Sequence, residues 1–209
     1  IPVVSGNVSF YNQTNERSIL PTPMIGMVGE IDDVRKCIPA VTNEYGCLYL
    51  LAPKAQQPSF AGSLIADMIG CEQQGSLLAI DYPAEKEAFA LLQLLVNKKY
   101  LHAAREVGRG GVFCCTMQIL SKKQGQVGLI TPDQQDNESF LFGERPGAYV
   151  LVVDSSCEEN FLQEIQVDSK IILSKIGTMT KGEPRLIINQ EHFNINGLIS
   201  SLDHALRFL

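Results

Sequence analysis

The chain has 209 residues, 45% of them hydrophobic and 19% charged, with 23 acidic against 17 basic side chains and a net charge of −6. That length buries one large core or one domain with an appendage, and the apolar content excludes a disordered chain. The acidic balance offers no basic stripe for nucleic acid, and no apolar run reaches membrane-spanning length.

The first 23 residues read as a short apolar strand, a polar loop over Asn12–Ser18 and a stiff Pro21-Thr22-Pro23 exit. A chain that opens on Ile1-Pro2-Val3-Val4, inside a strand-like run and without an initiator Met, is expected to be a piece of a longer protein. Met24–Ile31 is predicted as a strand whose glycines allow close pairing, and Cys47–Ala52 as another, ending at Pro53. A helix runs from Phe60 or Ser63 towards Met68, and Leu77–Ile80 is a short apolar strand. Glu85–Tyr100 carries the clearest helical period, with Ala88, Leu91, Leu92 and Leu95 on one face. That helix continues through Leu101–Glu106 or restarts there, and Gly108 breaks it. Val112–Leu120 is a further helix, closed by Lys122-Lys123-Gln124-Gly125.

Val127–Ile130 and Ala148–Val153 read as strands, separated by a loop and Phe140-Leu141-Phe142-Gly143. Cys157–Ile165 is a helix capped by Ser155 or Ser156, Ile171–Ile176 and Leu186–Ile188 are strands, and Leu198–Leu209 is a terminal helix. Such a mixed order gives an α/β or α+β domain in which helices pack on a mixed sheet.

Six cysteines, at 37, 47, 71, 114, 115 and 157, show no CxxC pairing and read as reduced thiols of a cytoplasmic protein. His102, His192 and His204 lie far apart and match no metal-ligand spacing. Two segments stand out. In Ser5-Gly6-Asn7-Val8-Ser9, Gly6 would let a ligand approach the backbone, while Asn7 and Ser9 present oxygens at period two on one side of a strand. An edge strand with a hydrogen-bonded turn explains the same residues equally well. In Arg105-Glu106-Val107-Gly108-Arg109-Gly110-Gly111, a glycine turn opening a helix would expose backbone N–H groups to an anion. A tight helix-to-helix turn is the competing reading, and neither a Walker loop nor GxGxxG is present.

Gly6-Asn7-Val8-Ser9-Phe10-Tyr11-Asn12 followed by Pro21-Thr22-Pro23-Met24-Ile25-Gly26-Met27-Val28-Gly29 resembles the large ATP-using subunit of phosphoribosylformylglycinamidine synthase, whose pattern runs close to GNVSxYNET and then PTPxxGMVG. Leu141-Phe142-Gly143-Glu144, Ile176-Gly177 and Arg185-Leu186 support the likeness, which spans nearly the whole chain. The resemblance implies an aminoimidazole ribonucleotide synthetase-like architecture, with residues 1–35 as the tail of an N-domain and 36–209 as a C-terminal domain. It implies ATP and Mg2+ as cofactors, with Gly6 touching ATP, Asn7 binding magnesium and Ser9 contacting substrate. The family converts formylglycinamide ribonucleotide to formylglycinamidine ribonucleotide with glutamine-derived ammonia, through phosphorylation of the substrate amide oxygen. Implied partners are a glutaminase subunit or domain, the missing N-terminal synthetase domains, and a second copy, since related enzymes dimerise near Met24–Ile31.

One departure stands against that pattern. Where the family carries an AHDxSDGG-like stretch, this chain reads Ala104-Arg105-Glu106-Val107-Gly108-Arg109-Gly110-Gly111. The aspartates are gone and two arginines are present; a carboxylate ligates magnesium and an arginine does not. Three expectations follow: part of an active synthetase that is inert when isolated, a non-catalytic assembly domain of that synthetase, or an aminoimidazole ribonucleotide synthetase-like enzyme.

Overall fold

The computed structural model describes residues 1–8, 13–19, 22–70, 79–119, 126–129, 137–165, 170–183, 185–194 and 197. The chain divides into two units, Ile1–Val34 and Arg35–Leu209.

In the smaller unit, β1 (Gln13–Thr14) and β2 (Arg17–Ser18) pair antiparallel. Asn15 and Glu16 between them have φ of 48° and 64°, the double positive φ that a two-residue primed hairpin turn demands. The polar stretch read as a loop therefore holds a minimal hairpin. Neither strand expected from the apolar runs is present: residues 1–8 and 22–31 form no regular element. Met24 is 94% exposed and Val28 103%. A strand exists only with a ladder partner, and among the described residues of this unit the single ladder is the β1–β2 hairpin.

The larger unit is built on a seven-stranded sheet of order β4-β6-β3-β7-β5-β8-β9. Its strands are β3 (Gly46–Pro53), β4 (Leu101–Glu106), β5 (Gln126–Leu129), β6 (Tyr149–Val153), β7 (Ile171–Thr180), β8 (Arg185–Ile188) and β9 (Glu191–Asn194). All neighbours pair antiparallel except β5 with β8. The sheet is therefore mixed, as the sequence pattern predicts.

Every residue of β3 is buried, because helices cover both faces of the sheet. Side chains alternate across it: Leu48, Leu50 and Ala52 join one core with Val150 and Val152, while Cys47, Tyr49 and Leu51 join the other with Leu151 and Val153. The first core is closed by α3 (Gly111–Ile119) through Val112, Cys115 and Ile119, and by Leu141 of α4 (Asn137–Phe142). The second is closed by α2 (Tyr82–Asn97) through Ala84, Ala88 and Leu95, and by Phe161 of α5 (Glu158–Glu164). Phe161 is fully buried, with its ring edge-on to Tyr49 at 4.8 Å between centroids.

Local chemistry sets the helix ends. Ser63 caps α1 (Leu64–Met68) by accepting from Ala66 N at 3.3 Å. Asp81 caps α2 by accepting from Ala84 N at 3.0 Å, with Pro83 in the first turn. Lys99, at φ 60°, ends that helix in the left-handed conformation.

Leu101–Glu106 is a strand, not the helical continuation expected. Once Lys99 stops α2, Leu101 and Ala103 alternate into the core and the segment pairs with β6. Phe140, Leu141 and Phe142, which the sequence pattern assigns to no element, lie in α4 against α3. Asp154 replaces the two serines as a cap: its carboxylate accepts from Ser156 N at 2.8 Å and starts a 3-10 turn over Ser155–Cys157 that runs into α5. Leu198–Leu209, with Leu77 and Leu78, lie outside the described residues; Ala79 and Ile80 form no strand.

Candidate functional site

Gly6 and Asn7 lie in the irregular opening of the smaller unit and are exposed. A Cβ built on Gly6 meets nothing within 4 Å, so no packing constraint explains the glycine. Ser9 lies outside the described residues. Asn7 offers one neutral amide oxygen, whereas magnesium is held in octahedral oxygen geometry with carboxylates, phosphates and water. No cluster of three His, Cys, Asp or Glu side chains fit to hold a metal occurs among the described residues. Asn7 is therefore one candidate ligand among the described residues, not a complete magnesium shell.

The second segment is more informative. Residues 107–110 turn the chain from β4 into α3, so the glycine turn joins a strand to a helix rather than two helices. Gly110 and Gly111 have φ of 79° and 67°. A Cβ on Gly111 would lie 2.6 Å from the Leu141 carbonyl oxygen, which leaves hydrogen as the only side chain the close approach of α4 admits. The turn does present a backbone donor to an anion, but the anion is the protein's own. Glu144 Oε1 accepts from Gly110 N at 3.2 Å and from Leu64 N, in the first turn of α1, at 2.9 Å. Reciprocal backbone bonds between Ser59 and Glu144, 3.0 and 2.9 Å, hold that carboxylate in place.

The two arginines do not add a second anion contact at this turn. Arg105 Nε donates to Gln118 Oε1 at 2.9 Å, and Arg109 is exposed. Cys115 is buried and its thiol is pushed up to about 12, chiefly by loss of water, with the Arg105 cation pulling the other way. Burial, then the nearby Glu144 carboxylate, also raise Cys114. Neither thiol is poised as a nucleophile, which agrees with a packing role for the pair.

Two polar clusters were not legible in the sequence, because their members lie up to 109 positions apart. Tyr49 Oη donates to Glu158 Oε1 at 2.6 Å, and Lys175 Nζ to the same oxygen at 2.7 Å. These bonds, that from Lys175 first, hold the Glu158 carboxyl down at about 2, and burial and the carboxylate raise Tyr49. Elsewhere, His102 Nε2 lies 3.7 Å from Asp154 Oδ2, and Ser156 Oγ lies 2.8 Å from Asp154 Oδ1. The serine is bonded to the acid and not to the imidazole, so this is no nucleophilic triad. Both clusters tie strands of the sheet to the start of α5.

No protein-family model matches the chain. Curated relatives do. The phosphoribosylformylglycinamidine synthase subunit PurL of Pelagibacter ubique is 32% identical over 96% of this chain and 27% of that protein. The same subunit of Nocardia farcinica is 30% identical over 93% of this chain and 25% of its own length. The chain thus spans about a quarter of the length of the curated relatives it matches. Among solved structures, Thermotoga maritima PurL complexed with FGAR superposes with a TM-score of 0.63 at 13% identity, covering 78% of this chain and 29% of that one. The phosphoribosylformylglycinamidine synthase II structure from the same organism gives 0.59 at 14% identity, over 78% and 27%. At these identities the superpositions speak for the fold, a mixed α/β sheet with packed helices. No described helix is long and apolar enough to cross a membrane. Sequence and fold together identify the chain as similar, along nearly all its length, to the C-terminal portion of the phosphoribosylformylglycinamidine synthase subunit PurL.

Proposed function

We propose that this chain is the C-terminal part of an ATP-dependent, amidine-forming ligase of purine biosynthesis acting in the cytoplasm. The observation that carries the reading is similarity to PurL over 96% of the chain, matched to only 27% of the relative. In the whole enzyme, formylglycinamide ribonucleotide, ATP and glutamine-derived ammonia react, the ammonia coming from a glutaminase subunit or domain. Thermotoga maritima PurL has been solved with ATP and with FGAR, which supports these ligand classes. Residues 1–35 act as the tail of the synthetase N-domain and 36–209 as its C-terminal domain.

Within that enzyme Gly6 contacts ATP, Asn7 binds magnesium and Ser9 contacts the substrate. Asn7 supplies one oxygen, so phosphates, water and side chains of the upstream domains complete any metal shell. The exposed apolar residues of the smaller unit, Met24 and Val28 among them, are covered in the parent by those domains or by a second copy. The isolated chain is therefore inert. Incubation with ATP, formylglycinamide ribonucleotide and ammonia yields no amidine product; turnover matching that of the full-length parent would overturn this reading.

A second reading has its own support. Glu144 fills the donor of the glycine turn at 105–111, where relatives carry the AHDxSDGG-like stretch, so this domain serves assembly and contributes no nucleotide contact there. Full activity of a parent enzyme with substituted Asn7 and Ser9 would favour it.

A further inference from the structure

At the start of α5 the Tyr49–Glu158–Lys175 cluster has a further member, the Cys47 thiol. Cys47 and Tyr49 sit two positions apart on β3, so their side chains share one face of the sheet. Lys175 pairs opposite Tyr49 on β7, and Thr178, three residues on, pairs opposite Cys47. Lys175 is thus a diagonal neighbour of Cys47, within reach of a long side chain. Cys47 Sγ lies 3.8 Å from Ser155 Oγ, in the 3-10 turn that leads into Glu158. Glu158 Oε1 holds Lys175 Nζ at 2.7 Å, and the thiol also bonds to the Lys175 and Glu158 side chains. Ser155 and Glu158 thereby gather thiol and amine at one place.

A thiol beside a lysine amine is a pair that oxidation joins. Lys175 is 44% exposed and Cys47 5%, so the cluster opens to solvent at the lysine. A small peroxide fits such an opening, and a bulky disulfide does not. Peroxide oxidises the thiol to a sulfenic acid and is itself reduced to water. The lysine amine, its proton passed to solvent through Glu158 Oε1, then attacks the sulfur. The S–N bond forms, the S–O bond breaks, and the hydroxyl leaves with an amine hydrogen as a second water. Thiol, amine and one peroxide thus give one sulfenamide and two waters.

We propose that Cys47 and Lys175 form a reversible covalent cross-link between β3 and β7 when the chain meets peroxide. Reduction by one dithiol returns the thiol and the amine and yields a disulfide of the reductant. The cross-linked nitrogen carries no ammonium charge, so oxidation removes the counter-charge of Glu158, as acetylation of a lysine does. The site uses none of Gly6, Asn7 and Ser9, and stands whether or not the synthetase reading holds.

The test is treatment of the full chain with hydrogen peroxide in mildly alkaline buffer, then alkylation of free thiols, tryptic digestion and mass spectrometry. A peptide joining Cys47 to Lys175 is expected, about 2 Da below the sum of its parts, with cleavage after Lys175 lost. Dithiothreitol restores both separate peptides. An oxygen held between sulfur and nitrogen, which a second peroxide supplies with loss of water, adds about 16 Da and supports the same site. Cys47→Ala abolishes the joined peptide. Should that variant fail to fold, Lys175→Arg, which keeps a cation for Glu158 at an exposed position, decides the matter with the same expected loss. Cys47 oxidised in the native chain without a joined peptide, Cys47 left unoxidised, or Lys175 joined to a different cysteine would each overturn the proposal.

Discussion

Glu144 Oε1 and Gly110 N, 34 positions apart, are joined by a 3.2 Å hydrogen bond that fixes the start of α3. The same oxygen holds Leu64 N at 2.9 Å, so one carboxylate ties the openings of two helices to the loop before β6. Glu144→Ala leaves both donors unsatisfied and is expected to cost about 1–3 kcal/mol. Glu144→Gln keeps an acceptor oxygen without the charge and loses about half as much. Urea unfolding of the two variants measures the difference.

Gly111 sits at φ 67° with the Leu141 carbonyl oxygen 2.6 Å from where a Cβ would stand. Gly111→Ala combines an unfavourable backbone conformation with a clash against α4, and is expected to cost at least about 2 kcal/mol. Gly108, whose Cβ would meet nothing within 4 Å, serves as the control: Gly108→Ala stays within about 1 kcal/mol of the native chain. Thermal unfolding of both variants checks the contrast.

Acid titration tests the Tyr49–Glu158–Lys175 cluster. The Glu158 carboxyl is lowered from its usual 4.5 to about 2, first by Lys175 and then by Tyr49. A depressed carboxyl contributes stability that is complete above its unfolded value and is lost as pH falls through the folded one. Unfolding free energy attributable to Glu158 therefore declines between about pH 4.5 and pH 2. Lys175 is 44% exposed, so water limits the contribution to about 1 kcal/mol. Glu158→Gln removes that part of the acid dependence, as denaturant unfolding at stepped pH will report.

The sequence disclosed most of the larger unit because its elements announce themselves locally. β3 is an unbroken apolar run between glycine and proline, and α2 carries a helical stripe ending on Leu95. What failed was context. Leu101–Glu106 follows a strong helix without glycine or proline, and only the left-handed Lys99 and pairing with β6 make it a strand. The hairpin at Asn15-Glu16 hides in a polar run, and β9 (Glu191–Asn194) is wholly exposed and gives no burial pattern to read. The anion-binding character of the glycine turn could be inferred from Gly110 and Gly111. Its occupant could not, because Glu144 reaches it only through the tertiary fold.

The most direct test of the Gly6-Asn7-Val8-Ser9 segment is ATP-dependent amidine formation by the full-length parent enzyme carrying Asn7→Ala or Ser9→Ala. Each substitution is expected to lower kcat/KM by about tenfold or more, Asn7→Ala with a raised magnesium requirement. Activity and magnesium dependence equal to those of the unaltered enzyme in both variants would contradict the roles proposed for Asn7 and Ser9.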